Sequence, residues 1–170
     1  MQNKYIKNIG LYLGIVGLLI FMFGLAEKNI SDKNTIVLVA TFFLFVSASI
    51  QKEPFFSGLQ GIAFVSAIMI FYQIQQVYNL GVFIFLAIAF SIYYFGRHKL
   101  NLARICAFVG LIALCLGILL GRNEPMVVCG IVLAIYAIFS IQEGYSVGWV
   151  FLVLNILFAI VAANALYGFY

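Results

Sequence analysis

The stretch NIGLYLGIVGLLIFMFGL at residues 8–25 occurs a second time, in diverged form, as NLARICAFVGLIALCLGI at residues 101–118. The two stretches align without a gap at a shift of 93, and small residues face small residues, as in Gly10 with Ala103. Further on, at a shift of 91, the tripeptide Ser-Ile-Gln at residues 49–51 returns at residues 140–142. An internal repeat in a membrane protein is typical of transporters, which often bind substrate where the repeats meet.

The composition indicates that lipid is the solvent of this chain. Its 170 residues are 66% hydrophobic and only 8% charged, and the mean hydropathy is +1.18. A soluble domain needs a much larger charged fraction to cover its surface. The net charge of +4 is therefore not interpreted as a nucleic-acid signal. The lipid bilayer is the expected partner, and no nucleic acid is expected.

Seven apolar runs predict seven transmembrane helices joined by short connections that hold the few charges. Several runs have only 16 residues, or about 24 Å of helix, which is short for a hydrocarbon core of about 30 Å. Both prolines stand at helix boundaries, where the missing N–H does least harm. The runs are Ile9–Ala26, Thr35–Ile50, Phe55–Tyr72, Leu80–Phe95, Ala103–Gly121, Met126–Ile141 and Trp149–Tyr167.

The repeat fixes the predicted arrangement of these helices. Helices 1–3 correspond to helices 5–7, and helix 4 lies between them. Because an odd number of crossings separates the two units, both run in the same direction through the membrane, as parallel repeats do. The predicted fold is therefore an all-α polytopic membrane protein with two parallel three-helix bundles joined by a linker helix. The predicted boundaries are 1–78, 79–99 and 100–170.

The basic residues predict an orientation. With the N-terminus inside, six basic residues fall in cytoplasmic segments and three in outer segments, which favours a cytoplasmic N-terminus and an external C-terminus. The loop-poor design is typical of a bacterial inner membrane. The cytoplasmic set is Lys4, Lys7, Lys52, Arg97, Lys99 and Arg104, and the outer set is Lys28, Lys33 and Arg122.

An alternative interpretation of the first helix is a cleaved signal peptide, because two lysines precede an apolar run that ends in Gly24-Leu25-Ala26. The run is long for a signal, and it belongs to the repeat.

Small and aromatic residues predict how the helices pack and where they end. Gly10, Gly14, Gly17 and Gly24 form one stripe on helix 1, and such stripes let helix backbones approach closely in lipid. Aromatic residues near the ends of the runs are typical of an interfacial belt. The predicted belt comprises Phe55, Phe56, Tyr72, Tyr78, Tyr93, Tyr94, Tyr145 and Trp149.

This plan of three, one and three helices resembles the SWEET and PQ-loop transporter superfamily, and most closely its YgjV-type bacterial inner-membrane proteins. The resemblance covers nearly the whole chain at the level of plan. At the level of motif, Ser-Ile-Gln stands twice where the family has Pro-Gln, and no proline lies within a helix. The resemblance implies a solute pocket between the two bundles near the membrane midplane, where Asn155 would match the pocket asparagine of the family.

Asn155 and Gln60 are the candidate solute-binding residues. Asn155 lies in the middle of the last apolar run, and an amide in hydrocarbon must find a partner. That partner is either a solute or another helix. Gln60 lies one turn from the repeat counterpart of Asn155, so the pair could line one pocket. Gln51 and Gln142 end helices 2 and 6 and would either gate a pore mouth or cap the helices.

Enzyme, metal and cofactor functions lack candidate residues. No catalytic triad, carboxylate pair or phosphate loop is present, so no enzyme activity and no cofactor is predicted. The single histidine, His98, stands in a basic connection and cannot form a metal site alone. The three cysteines are interpreted as small buried hydrophobic residues without a disulfide. No Asp, Glu or Lys lies clearly inside a span, which argues against an ion-coupled pump.

Two functions remain after these exclusions. The first is a small SWEET-like transporter or facilitator for an uncharged or weakly charged polar solute. The second is a non-transporting membrane subunit or scaffold of a larger complex, as smooth apolar helices suit packing against partners. A homodimer or a membrane-protein partner is compatible with either. The surroundings of Asn155 and Gln60 discriminate between the two functions, because a water-filled cavity there favours transport and close packing favours the scaffold.

Overall fold

The chain is all-α. The computed structural model describes residues 4–27, 29–97, 101–120 and 122–167, and within these ranges it has seven helices and no strand. Each helix covers nearly all of one predicted apolar run, which confirms the number and placement of the helices. They are α1 (Lys4–Ala26), α2 (Ile30–Ile50), α3 (Pro54–Phe71), α4 (Gln76–Arg97), α5 (Leu102–Leu120), α6 (Asn123–Gln142) and α7 (Gly148–Tyr167).

Most helices are longer than their apolar runs because their first turns are polar. Helix α2 begins at Ile30, where the Asn29 side chain accepts a hydrogen bond from the Ser31 N–H at 3.0 Å, and Asp32 lies in the positively polarised first turn. Helix α6 likewise has Glu124 in its first turn. With 18 to 23 residues each, the helices are about 27 to 35 Å long. The runs of 16 residues thus underestimated the helix lengths.

Five helices are long and apolar enough to cross a membrane, namely α2, α3, α4, α6 and α7. Helices α1 and α5 contain shorter apolar stretches, Asn8–Gly24 and Leu102–Ile118. Seven crossings and the orientation of the chain stay predictions. Of the residues used for the orientation, Lys28 and Lys99 lie outside the described residues.

The chain divides into two compact units, an N-terminal unit (Met1–Ile88) and a C-terminal unit (Ala89–Tyr170), and the boundary falls within α4. In the N-terminal unit, α2 packs against both α1 and α3. In the C-terminal unit, α6 packs against both α5 and α7. Each unit therefore has a middle helix, and the second helix of each predicted repeat takes that place.

Glycines are the points where these helices touch. A Cβ atom built on Gly17 would lie 3.0 Å from Phe43 Cβ of α2, and one on Gly110 would lie 2.4 Å from Leu133 Cδ2 of α6. On the other side of α6, a Cβ on Gly130 would lie 2.7 Å from the Ala159 backbone nitrogen. The predicted small residues thus face neighbouring helices, because only a missing side chain permits such close approach.

The middle helices end in the same backbone motif. At the end of α2, the Glu53 N–H donates to Ala48 O and the Lys52 N–H to Ser49 O, while Lys52 has a positive φ of 56°. At the end of α6, Tyr145 and Gly144 donate to Ser140 O and Ile141 O, and Gly144 has φ of 93°. These bonds define a Schellman motif, in which the left-handed residue is usually glycine.

The members of the predicted aromatic belt differ in burial. Tyr72, Tyr78, Tyr93 and Trp149 are exposed, and their place at a membrane interface stays a prediction. The prediction is wrong for Phe55, Phe56 and Tyr94, which are buried. The two phenylalanines open α3 and pack inward, and the Tyr94 hydroxyl lies 3.2 Å from the hydroxyl of buried Tyr136 on α6. Proximity to a helix end does not reveal which face of the helix is covered.

Replacing Lys52 with glycine should stabilise the protein by about 1 kcal/mol, since glycine adopts the left-handed conformation without a Cβ penalty. Gly144→Ala should destabilise it by a similar amount; a Cβ there would meet no atom within 4 Å, so only the backbone conformation is tested. Reversible unfolding in mixed detergent micelles measures both changes. Equal stability of Lys52→Gly and wild type would contradict a strained Lys52.

Gly130→Ala should destabilise the C-terminal unit by about 1–3 kcal/mol, because the new Cβ overlaps the backbone of α7 and the helices must separate. Gly81→Ala on α4 is the matched control, since its Cβ would meet nothing within 4 Å. That control should be neutral or stabilising by up to about 1 kcal/mol, the helix-propensity difference. Similar losses of stability in both variants would refute the steric explanation.

Candidate functional site

Gln60 is a mostly buried residue whose amide has no partner among the described residues. It lies in the first half of α3 and is only 8% exposed. Its amide is not among the fully enclosed polar atoms that lack a hydrogen bond, so the tip of the side chain stays accessible. Phe56 and Phe64 stand four residues before and after it. Gln60 therefore holds an amide that a molecule from outside the chain can reach.

An aromatic groove continues the face on which Gln60 lies. Gln60, Phe64, Ile68 and Phe71 follow one another at helical spacings of four, four and three residues. The Phe64 ring stacks on Phe45 at 6.3 Å and lies 5.5 Å from Phe42. The groove between α2 and α3 has a volume of about 390 Å³ and is lined by Leu38, Val39, Phe42, Phe64, Ile68, Phe71 and Tyr72. Gln60 lies one turn before Phe64, the nearest lining residue on its face.

Asn155 is buried where α7 packs closely against α6. Its side chain is 7% exposed, and its Nδ2 donates to Phe151 O of its own helix at 2.7 Å. A Cβ built on Gly130 would lie 2.8 Å from Asn155 O. Asparagine in a helix commonly bonds back to the preceding turn. The amide donor is thus satisfied locally, within a close-packed interface.

The two predicted solute ligands lie in different units, Gln60 in the N-terminal unit and Asn155 in the C-terminal unit. Their common pocket stays a prediction, as does the role of Asn155 as a solute ligand. The structure distinguishes the two amides in one respect, since Asn155 donates a hydrogen bond and Gln60 makes none.

Gln51 and Gln142 occupy different environments. Gln51 is the buried C-cap of α2, and its Cγ would lie 2.7 Å from a Cβ built on Gly10 of α1. Gln142 is the exposed last residue of α6, and the C-cap there is Glu143. Gln142 lines a groove of about 360 Å³ together with Asn101, Leu102, Ala103, Phe139 and Glu143. Relative to the end of its helix, Gln142 therefore lies one position earlier than Gln51. The role of both glutamines as gates stays a prediction.

Glu53 is a polar residue whose burial the sequence analysis missed. The pattern placed it in a charged connection, but it is 1% exposed and caps the N-terminus of α3, where it accepts a hydrogen bond from the Phe56 N–H. The left-handed Lys52 precedes it and is exposed. An acidic residue directly before a proline and an apolar run is a helix-start signal that could have revealed this capping role.

Of two buried serines in the middle helices, Ser47 forms a hydrogen bond to another helix and Ser140 forms none. Ser47 Oγ of α2 donates to Gly10 O of α1 at 2.6 Å, a buried bond between the helices. Ser140 Oγ of α6 is buried and has no hydrogen-bond partner. The bond from Ser47 to Gly10 depends on the close approach that the glycine permits.

The described chain has an exposed ion pair at the start of α6, and its acidic and cysteine side chains form no metal site. Arg122 and Glu124 form an exposed ion pair at 2.6 Å, and this carboxylate raises the pKa of Arg122. Such exposed pairs contribute little to stability. No group of three His, Cys, Asp or Glu side chains within the described ranges could hold a metal ion. His98 lies outside those ranges, and the cysteines are free, with Cys129 buried.

Comparison of the chain with protein-family models, with curated proteins and with solved structures finds no match. Inference about function consequently depends on the side chains themselves.

Ser47→Ala should lower stability by about 1 kcal/mol, since it removes a buried interhelical hydrogen bond. Ser140→Ala is the matched control in the other unit, because it removes a buried hydroxyl that has no partner, and it should be neutral or slightly stabilising. Unfolding in mixed micelles compares the two variants. A loss for Ser140→Ala as large as that for Ser47→Ala would show that the bond to Gly10 is unimportant.

Proposed function

We propose that this chain is a membrane transporter or facilitator for an uncharged or weakly charged polar solute, built on the plan of the SWEET and PQ-loop superfamily. One observation carries the proposal, namely the buried and unpartnered carboxamide of Gln60. The proposal also includes insertion of the chain in a bacterial inner membrane.

The energetics of Gln60 favour a ligand over a structural role. In lipid, a polar group must be satisfied inside the protein or by something that enters it. A glutamine that served packing would either bond to a neighbouring helix or be better replaced by leucine, which fills similar space without the desolvation cost. An amide kept free of internal partners is available to a solute that replaces the water around it.

The distribution of charge supports an uncharged solute. All five acidic residues lie at helix ends, so carboxylates are absent from the middle of the described helices. Ion-coupled pumps usually place such groups inside the bundle, where they bind the ion or proton. A passive mechanism agrees with this arrangement. The five acidic residues are Glu27, Asp32, Glu53, Glu124 and Glu143.

Equivalent features of the two units support the repeat within this proposal. Helices α2 and α6 end in the same Schellman motif, with the left-handed residue at Lys52 in one unit and Gly144 in the other; α3 also ends in this motif, at Gln73. In both units, glycines of the first helix contact the middle helix. Transporters assembled from repeats use such matched units to form their substrate path.

A second function, that of a non-transporting scaffold, is favoured by the environment of Asn155. This amide lies in a close-packed contact and bonds to its own helix, which suits a packing role. The scaffold function explains Asn155 but leaves the unpartnered amide of Gln60 without a purpose. A comparison of Gln60 variants therefore discriminates between the two functions.

Gln60→Leu should reduce solute uptake at least tenfold while leaving the stability within about 1 kcal/mol of wild type, because the change removes no hydrogen bond within the described chain. The measurement is uptake by proteoliposomes of a panel of uncharged sugars, nucleosides, nucleobases and amides, with protein-free vesicles as the baseline. Unfolding in mixed micelles reports stability in parallel.

Gln75→Leu is the matched control, as it makes the same chemical change at an exposed position between α3 and α4, and it should transport like wild type. Uptake by wild-type protein no faster than the baseline for every solute would reject the transporter and leave the scaffold. Equal uptake by wild type and Gln60→Leu would reject Gln60 as the site.

A further inference from the structure

We infer that the solute bound at Gln60 is a nucleobase, held by its hydrogen-bonding edge on the carboxamide and by its ring on the aromatic side chains of α2 and α3. This inference depends on the proposed function and names the substrate class of that same site. It follows from three properties of the site, which are the form of the amide, the kind of side chains around it and the shortage of other polar groups.

The carboxamide of Gln60 presents one acceptor and two donors in a plane. Its best partner is a flat group that offers a donor beside an acceptor, since both hydrogen bonds then form at once. The N6 amino group and N7 of adenine have this spacing, and glutamine reads adenine in this bidentate way. Because Gln60 makes no bond within the described chain, both of its functional ends are available for such an edge.

The side chains along this face suit an aromatic ring. Phe64 lies one helical turn after Gln60 and lines the groove, and Phe42 and Phe45 surround the Phe64 ring. Phe56, one turn before Gln60, is fully buried. Aromatic rings stack on one another in offset or edge-to-face arrangements at centroid distances of about 4.5–7 Å. The adjoining groove of about 390 Å³ is within the range of small-molecule sites, about 300–1,000 Å³.

The scarcity of other polar groups argues against a solute with many hydroxyls. Besides Gln60, the lining of the adjoining groove offers only the Tyr72 hydroxyl as a side-chain hydrogen-bonding group. A polyhydroxylated solute would leave most of its hydroxyls unpaired there, and each unpaired group is costly in an apolar site. A nucleobase concentrates its polar atoms on its edges and presents two apolar faces, which matches one amide between aromatic rings.

The decisive experiment compares adenine with 7-deazaadenine, which has the same shape but lacks the N7 acceptor. Wild-type protein in proteoliposomes should take up labelled adenine with saturation. Unlabelled 7-deazaadenine should compete at least about tenfold less well than unlabelled adenine, as expected for the loss of one bond of a bidentate pair. Gln60→Leu should abolish saturable adenine uptake, and Gln75→Leu should leave it unchanged.

Gln60→Glu gives a second readout, because a carboxylate accepts hydrogen bonds but cannot donate one to N7. Its preference for adenine over 7-deazaadenine should disappear, whereas a merely structural Gln60 would leave the preference unaltered. Equal competition by the two bases in wild type would overturn the inference. If the protein takes up other uncharged solutes but no nucleobase, the nucleobase inference is overturned and the transporter function stands. If it takes up no solute at all, both the inference and the transporter function are overturned.

Discussion

Close contact between helix backbones at glycines is the constraint on which each unit depends. Between helices in lipid there is no hydrophobic driving force, so association relies on van der Waals contact and a few hydrogen bonds. Gly17 and Gly110 place α1 and α5 against the middle helices, and Gly130 does the same for α7. The hydrogen bond from Ser47 to Gly10 exists only because the backbones are already this close. Packing therefore comes first, and polar contacts follow from it.

The other buried polar side chains put Gln60 in context. Thr41 bonds to carbonyl groups of its own helix, and Asn155 does the same. Ser140 Oγ is buried and has no partner among the described residues. Gln60 differs from all three, since it makes no such bond and its amide is not fully enclosed.

Hydropathy was sufficient to predict seven helices and their apolar interiors, because lipid requires long runs without charge. It missed the polar first turns, such as that of α2 at Asn29, since these obey capping rules rather than hydropathy. Burial of Glu53 and Tyr94 could not be read from the sequence, as it depends on which face of a helix is covered. For Asn155, the sequence predicted the need for a partner, but only the structure shows that this partner is the Phe151 carbonyl of the same helix.

The contrast between the two amides bears on how a site can be recognised in so apolar a chain. A polar residue that serves packing is satisfied within the fold, and its removal weakens the protein. A polar residue that serves binding is left unsatisfied until the ligand arrives, and its removal leaves the fold intact or stronger, because function is maintained at a cost in stability. Asn155 meets the first description through its bond to Phe151. Gln60 meets the second, since the residue is only 8% exposed and its amide makes no bond in the described chain. The amide without a partner is thus the stronger indication of a binding site, although the sequence alone gave Asn155 the more central position.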